Sequence, residues 1–398
     1  MLVRVLIAAD GLYPFAMGGS YRYVFEVATR LNRKGCDVTV VVPAPVAGEV
    51  GGISIVSAGA IESGPIRKMW TLSGGVWMAT RRLSEVRSTF DILWINSPLV
   101  AYGMRSVIGR LPSVSVVHGP VGRELAAEHP KPWMLAKGLR WFGDYAESWL
   151  LAQSRVVVFD SRYMADEVLQ ARKVRPARVE IIPCGVDTEK FVCWPEEVRR
   201  RERVAKGIDD RLVVFTARRL RKRVGLDWLI EAFGQLALSE TTAELFIAGE
   251  GPERDSLEEL VRRQGGTVGD RVHFLGLVSD EDLVAWYNIA DAVVVPSRSL
   301  EGFGLTSLEA MACGTVVVAT NTGANPEIVG QLNPDFVVSP AALVTGLRAA
   351  LVADNVREQA TAVARRYTWD RTADSMMRLF EEVLAHDRRP TSSRASIG

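Results

Sequence analysis

The chain has 398 residues, 48% of them hydrophobic and 24% charged, which excludes a disordered polypeptide and suits two domains rather than one. Forty arginines and eight lysines stand against 47 acidic residues, a net charge of +1, and this balance argues against a dedicated nucleic-acid binder. The four cysteines, Cys36, Cys184, Cys193 and Cys313, form no CxxC pair, so neither a zinc ribbon nor a thioredoxin-like redox centre is expected.

The opening run, Met1 to Asp10, has an apolar core too short for a secretion signal and leads into a Gly-rich loop, so it reads as a first strand. Short apolar runs follow at Val3–Ala8, Asp37–Val42, Ile53–Val56, Ile92–Ile95, Val114–His118, Val156–Phe159 and Val179–Ile182. A second set lies at Leu212–Thr216, Leu245–Ala248, Val272–Leu275, Ala292–Val295 and Thr315–Ala319. They lack polar alternation, as parallel strands buried on both faces do. Helical spacing separates them: Tyr21, Val24, Ala28 and Leu31 share one face, and Leu226, Leu229, Ile230, Phe233 and Leu236 another. The expected class is α/β with parallel sheets.

Between Pro183 and Pro195 the sequence holds turn formers and no clear period. The expected division is therefore a Rossmann-like domain over 1–184, a linker over 185–195 and a second Rossmann-like domain over 196–370. A terminal helix over 371–388, with Met376, Met377, Phe380 and Val383 on its apolar face, returns to the first domain, and 389–398 read as a disordered tail. Two such domains facing a cleft would bind ligands outside the carboxyl ends of their strands. No run reaches the roughly 18 apolar residues of a membrane span. Scattered cysteines suit a reducing compartment, and a soluble cytoplasmic protein is the expectation.

The densest motif is Pro296-Ser-Arg-Ser-Leu-Glu-Gly-Phe-Gly-Leu-Thr-Ser-Leu-Glu-Ala-Met-Ala-Cys-Gly314, at the end of a buried strand. Glu301 and Glu309 flank Gly302 and Gly304. The glycines allow close backbone approach to a ligand, and a helix starting near Gly304 would direct its free N–H groups at a diphosphate. Two carboxylates there can accept hydroxyl protons from sugars. An ordinary strand-to-helix turn with two solvated glutamates is the competing reading.

Here the sequence resembles the retaining glycosyltransferases of the GT-B fold, family 4, whose E-x7-E motif matches Glu301–Glu309. Ile181 to Phe191, Leu229 to Phe233, Phe246 to Pro252, Arg271 to Gly276, Ala290 to Ser297 and Thr322 to Glu327 also match family segments in order. The resemblance implies a GT-B fold and transfer of a sugar, with retention, from a nucleotide-diphosphate sugar, UDP favoured and GDP next. The acceptor would be a nucleophile on a glycoconjugate, lipid or natural product, bound by the first domain. It implies no cofactor, no metal and no nucleic-acid partner. A non-catalytic sugar-nucleotide binder and another GT-B enzyme, such as an epimerase, are the alternatives.

The resemblance also assigns roles. Glu301 would contact the donor sugar and Glu309 the ribose, with Gly249 and Leu277 lining the nucleotide. Main-chain amides around Phe303, Gly304 and Leu305 would hold sugar and diphosphate, and the Gly18–Gly19 loop would approach the donor phosphate from the first domain. His118 would lie near the donor sugar, while Asp10 and Glu124 are acceptor-side groups with less support. The family's Gly-Arg-Leu, with a Lys five residues after the Arg, places Arg219 on the diphosphate. Val224 stands where that Lys would be, and Arg223, Arg221 and Arg218 are the available substitutes, Arg223 first. Arg67, Lys68, Trp70, Trp77, Arg81, Arg82 and Arg87, like Trp133 to Phe142, mix basic and aromatic residues and suit a surface helix, an acceptor wall or peripheral membrane contact.

Three patterns are set aside. Gly249 to Arg254 lacks the third small residue of a dinucleotide fingerprint. Asp280-Glu-Asp282 follows Ser279 and reads as acidic capping of a helix start rather than a metal motif. The four histidines show no metal-ligand spacing.

Overall fold

The computed structural model describes residues 2–16, 18–43, 47–59, 89–101, 103–105, 107–128 and 133–387. The expectations for Arg67 to Arg87 and for the tail 389–398 lie outside the described residues. The chain forms two compact units, one of Met1–Pro183 with Trp369–Gly398 and the other of Cys184–Thr368.

The first unit is built on an eight-stranded sheet, ordered β3-β4-β2-β1-β5-β6-β7-β8. Its strands are β1 (Arg4–Ala8), β2 (Asp37–Val42), β3 (Gly48–Val50), β4 (Ile53–Ser57), β5 (Ile92–Ile95), β6 (Ser113–Val117), β7 (Val156–Phe159) and β8 (Val179–Ile181). All pairings are parallel except that of β3 with β4. The central strands are buried on both faces, as their unbroken Val/Ile/Leu runs require. The exception, β3, is an edge strand of exposed Gly48 and Glu49, whose composition carries no strand signal.

The second unit holds a six-stranded parallel sheet, ordered β11-β10-β9-β12-β13-β14. Its strands are β9 (Leu212–Ala217), β10 (Ala243–Ala248), β11 (Val272–Gly276), β12 (Ala292–Val295), β13 (Val317–Thr320) and β14 (Val337–Val338). The order runs outward from β9 in both directions, so the carboxyl ends of the adjacent β9 and β12 form the switch point where such sheets take ligands. Phe215 stacks on Trp286 with centroids 5.6 Å apart, and Phe246 meets the same indole at 4.5 Å, locking helix Asp280–Ile289 to the sheet.

The helix Trp369–Asp387 belongs to the first unit. Tyr23 of helix Gly19–Arg33 meets Trp94 of β5 at 5.9 Å and Trp369 at 5.8 Å, and Phe380 closes the cluster against Trp94 at 6.4 Å. Segment 185–195, expected as a linker, is instead packed into the second unit. Phe191 is buried against Tyr287, the Trp194 amide donates to Asn288, and Val186 bridges to Thr368. The aromatic and apolar residues inside that segment, rather than its turn formers, decide its fate.

Candidate active site

The second unit places Glu301 six residues beyond β12, beside Arg218, the residue that follows β9. Because these strands are neighbours, side chains leaving their carboxyl ends converge. Arg218 Nη2 donates to Glu301 Oε2 at 2.6 Å, and the Ser297 hydroxyl donates to the same oxygen at 2.5 Å. Burial pushes the Glu301 carboxyl up. The Arg218 charge and hydrogen bond, the Ser297 hydroxyl and the charge of Arg223 outweigh it, so its pKa lies below the ordinary carboxylate value. Glu301 is thus a buried acceptor that stays ionised.

The residue before it is strained. Leu300 has φ 58°, a left-handed conformation that costs a side-chain-bearing residue about 1–2 kcal/mol. Arg223 Nη1 reaches the Leu300 carbonyl at 3.4 Å, and the Arg223 carbonyl accepts from the Arg298 amide at 2.8 Å. Strain of this kind persists where surrounding structure enforces it and is frequent at ligand sites.

Gly304 precedes the helix Leu305–Ala312, with φ 98° and no side chain capping the helix start. An anion there would meet free amide groups and the positive end of the helix dipole. Two buried polar atoms flank this glycine without a hydrogen-bond partner: Ser307 Oγ and Asn325 Oδ1, 3.5 and 3.8 Å from where a Gly304 side chain would begin. Orphaned groups of this kind at the mouth of a helix are what a polar ligand would satisfy. Phe303 turns its ring into the core, edge-on to Tyr367 at 5.9 Å, so only its backbone is left for a ligand. One turn further along, Glu309 accepts from the Tyr287 hydroxyl at 3.2 Å. Burial first, then the Glu309 charge and hydrogen bond, push the Tyr287 phenol well above its usual value, so it remains a donor.

The cations of this loop divide between the core and the surface. Val224 is 2% exposed, so the place of the family's lysine is taken by a core side chain. Arg219, expected on the diphosphate, lies on the exposed side of the loop, and Arg218 is the arginine that enters the buried carboxylate cluster. Gly249 has φ 125° and a structural duty, since a side chain on it would lie 2.0 Å from the Arg218 carbonyl. Leu277 is 74% exposed just beyond β11.

In the first unit His118 follows β6, Asn96 follows β5 and Asp160 follows β7, three adjacent strands. His118 Nδ1 lies 3.4 Å from Asp160 Oδ2, and Nε2 lies 3.2 Å from Asn96 Oδ1. The Tyr23 ring packs edge-on against the imidazole at 4.8 Å. The imidazole is thus flanked by two oxygen atoms, Asp160 Oδ2 at Nδ1 and Asn96 Oδ1 at Nε2. Gly18 and Gly19 are exposed at the start of helix Gly19–Arg33, and the Gly18 carbonyl accepts from the Arg22 amide. Glu124 sits against Gly119, and Asp10 is half-buried after β1. Ser279 caps helix Asp280–Ile289 by accepting from the Asp282 amide at 3.0 Å, which accounts for the acidic run there.

Sequence reasoning missed Ser297, Ser307, Asn325, Tyr287, Asn96 and Asp160 as site residues. Single serines, asparagines and tyrosines carry no spacing signal. Position at a strand's carboxyl end is the cue that could have singled out Asn96 and Asp160.

Residues 17–190 match the family model for Glycosyltransferase Family 4, and residues 198–367 that for Glycosyl transferases group 1. An uncharacterized glycosyltransferase of Methanocaldococcus jannaschii is 31% identical over 240 residues, 58% of this chain and 60% of that protein. The GDP-mannose-dependent alpha-(1-6)-phosphatidylinositol monomannoside mannosyltransferase of Mycolicibacterium smegmatis is 31% identical over 304 residues, 69% of this chain and 76% of that protein. The structure of Anabaena HepE in complex with UDP-glucose superposes with a TM-score of 0.72 at 18% identity, covering 95% of this chain and 99% of that one. With its two Rossmann-like units and these matches, the chain belongs to the GT-B glycosyltransferases of the family 4 type.

Proposed function

We propose that this glycosyltransferase moves a sugar from a nucleotide-diphosphate sugar to an acceptor hydroxyl, with retention at the anomeric carbon and without a metal ion. The observation that carries this reading is the ionised, buried Glu301 beside an uncapped helix start with two orphaned polar atoms. A sugar offers hydroxyl protons to the carboxylate, and a diphosphate offers charge to the helix N-terminus. Glu309, held by Tyr287, is proposed for the ribose. The backbone of Phe303, Gly304 and Leu305, with Arg219 and Arg223, is proposed to receive the charge that grows on the leaving diphosphate. From the first unit, His118 is proposed to serve the donor sugar and the Gly18–Gly19 turn the phosphate. Retention is consistent with front-face substitution, in which the leaving phosphate takes the acceptor proton and no side-chain base is needed.

UDP-sugar is the first donor to test, since the HepE structure holds UDP-glucose. GDP-sugar is the second reading, favoured by the name of the mycobacterial relative, which also points to an inositol-containing acceptor. Among the described residues no helix is long and apolar enough to cross a membrane. The test is release of nucleoside diphosphate from UDP- and GDP-sugars in EDTA, with and without inositol-containing or sugar acceptors. Proton NMR of the product follows the anomeric configuration. Acceptor-dependent release with the anomeric configuration kept supports the reading. Inversion would overturn retention, and strict dependence on added magnesium or manganese would overturn the metal-free reading. Binding without turnover would favour a non-catalytic relative.

A further inference from the structure

Arg218 and Glu301 are both about nine-tenths buried, with side chains 11% and 10% exposed. Burying two charges costs several kcal/mol per ion, and a well-packed apolar pair would hold a sheet end equally well. The pair's geometry suggests a different use. Arg218 Nη2 bonds to Glu301 Oε2 at 2.6 Å and reaches the Ser297 hydroxyl at 3.3 Å, while that hydroxyl bonds to the same Oε2 at 2.5 Å. Both bonds fall on one oxygen, and Oε1 takes part in neither. The groups facing the carboxylate are Arg218 from the end of β9, Arg223 from the following turn and Ser297 from the end of β12. Behind it the 322–325 loop packs so closely that a side chain on Gly323 would lie 2.6 Å from the Glu301 Cβ. Both side-chain bonds therefore hold the carboxylate at Oε2.

We propose that Arg218 is a positioning residue for donor-sugar recognition: with Ser297 it pins Oε2 of Glu301 so that Oε1 is presented, ionised, to the sugar hydroxyls. The inference rests on the proposed donor site. It separates two duties that the arginine-rich loop 218–223 would otherwise share. Arg218 serves the sugar through Glu301, and Arg219 and Arg223 serve the phosphates. It also makes the absence of a cation at Val224 independent of Arg218, whose Nη2 is already committed.

The test compares affinities for a nucleoside diphosphate and for the matching nucleotide sugar, measured by calorimetry from about pH 5 to about pH 8. In the wild type the ratio of the two affinities should change with pH only through the terminal phosphate of the nucleoside diphosphate, which titrates near pH ~6 and is esterified in the nucleotide sugar, because Glu301 is held ionised. Arg218→Met leaves a buried carboxylate without its cation, so burial then dominates and Glu301 protonates. Relative to the wild type at the same pH, the sugar's contribution should fall about tenfold, most at low pH, with partial recovery as pH rises. Affinity for the nucleoside diphosphate should be unchanged, which also reports that the variant is folded. Arg218→Lys should restore part of the ratio, and Ser297→Ala should give a smaller loss in the same direction. A ratio in Arg218→Met that equals the wild-type ratio at every pH would overturn the inference. So would parallel loss of nucleoside diphosphate affinity, which would place Arg218 on the phosphates, or a wild type that gains nothing from the sugar. A wild type that binds no nucleotide at all would overturn the donor-site reading, and this inference with it.

Discussion

The Tyr287 hydroxyl donates to Glu309 Oε2 at 3.2 Å, so the two glutamates of the site are held by unlike partners: Glu301 by a guanidinium, Glu309 by a buried phenol. The phenol's pKa is raised well above its usual value by burial and by Glu309, and it stays a donor through the neutral and mildly alkaline range. Tyr287→Phe should weaken nucleotide binding by roughly threefold to tenfold, the value of one hydrogen bond of about 0.6–1.4 kcal/mol. Calorimetry checks this. Unchanged affinity would show that the phenol does not orient Glu309.

Ser307 and Asn325 lead to a prediction of opposite sign for stability and binding. A buried polar group without a partner costs about 1–3 kcal/mol, and Ser307 Oγ is such a group. Ser307→Ala should therefore leave the melting temperature of the ligand-free protein unchanged or higher. The rise in melting temperature on adding nucleotide should shrink. A lowered melting temperature with an undiminished nucleotide shift would show the hydroxyl to be structural.

The first unit offers a kinetic test. Asp160 lies 3.4 Å from His118 Nδ1 and fixes the imidazole's orientation. Asp160→Asn should lower kcat, by up to about a hundredfold if the ring is misplaced. Binding of the nucleotide alone should not change. Steady-state kinetics with calorimetry separates the two quantities, and loss of both together would contradict the assignment.

The terminal helix makes a stability prediction. Phe380 is 1% exposed and packs against Trp94. Phe380→Ala should destabilise the first unit by about 3–5 kcal/mol. Denaturant unfolding followed by far-UV circular dichroism should then show an early transition for that unit. The Cys184–Thr368 unit should unfold where it does in the wild type.

Much of the fold was legible because parallel strands buried on both faces read as unbroken Val and Ile runs, as in β5, β7 and β12. The strand β3 was not, because Gly48 and Glu49 sit exposed at an edge, and β14 is only Val337–Val338. Glu301 and Glu309 could be singled out as candidates because their spacing and the glycines between them are sequence properties. Which arginine of 218–223 turns inward could not. Six neighbouring positions carry five cations, and only the adjacency of β9 and β12 brings Arg218 to Glu301. Arg219 next to it faces outward by the ordinary alternation of a chain leaving a strand.

One titration decides whether the Glu301–Glu309 region holds a nucleotide without metal. Wild type and Glu309→Ala are titrated calorimetrically with UDP and with GDP in EDTA. One of the two nucleotides should bind the wild type, and Glu309→Ala should weaken that binding by about tenfold or more, since a hydrogen bond to a charged group is worth about 1.5–3 kcal/mol. Failure of both nucleotides to bind the wild type, or binding by Glu309→Ala as tight as that of the wild type, would rule out a metal-free nucleotide site at Glu309.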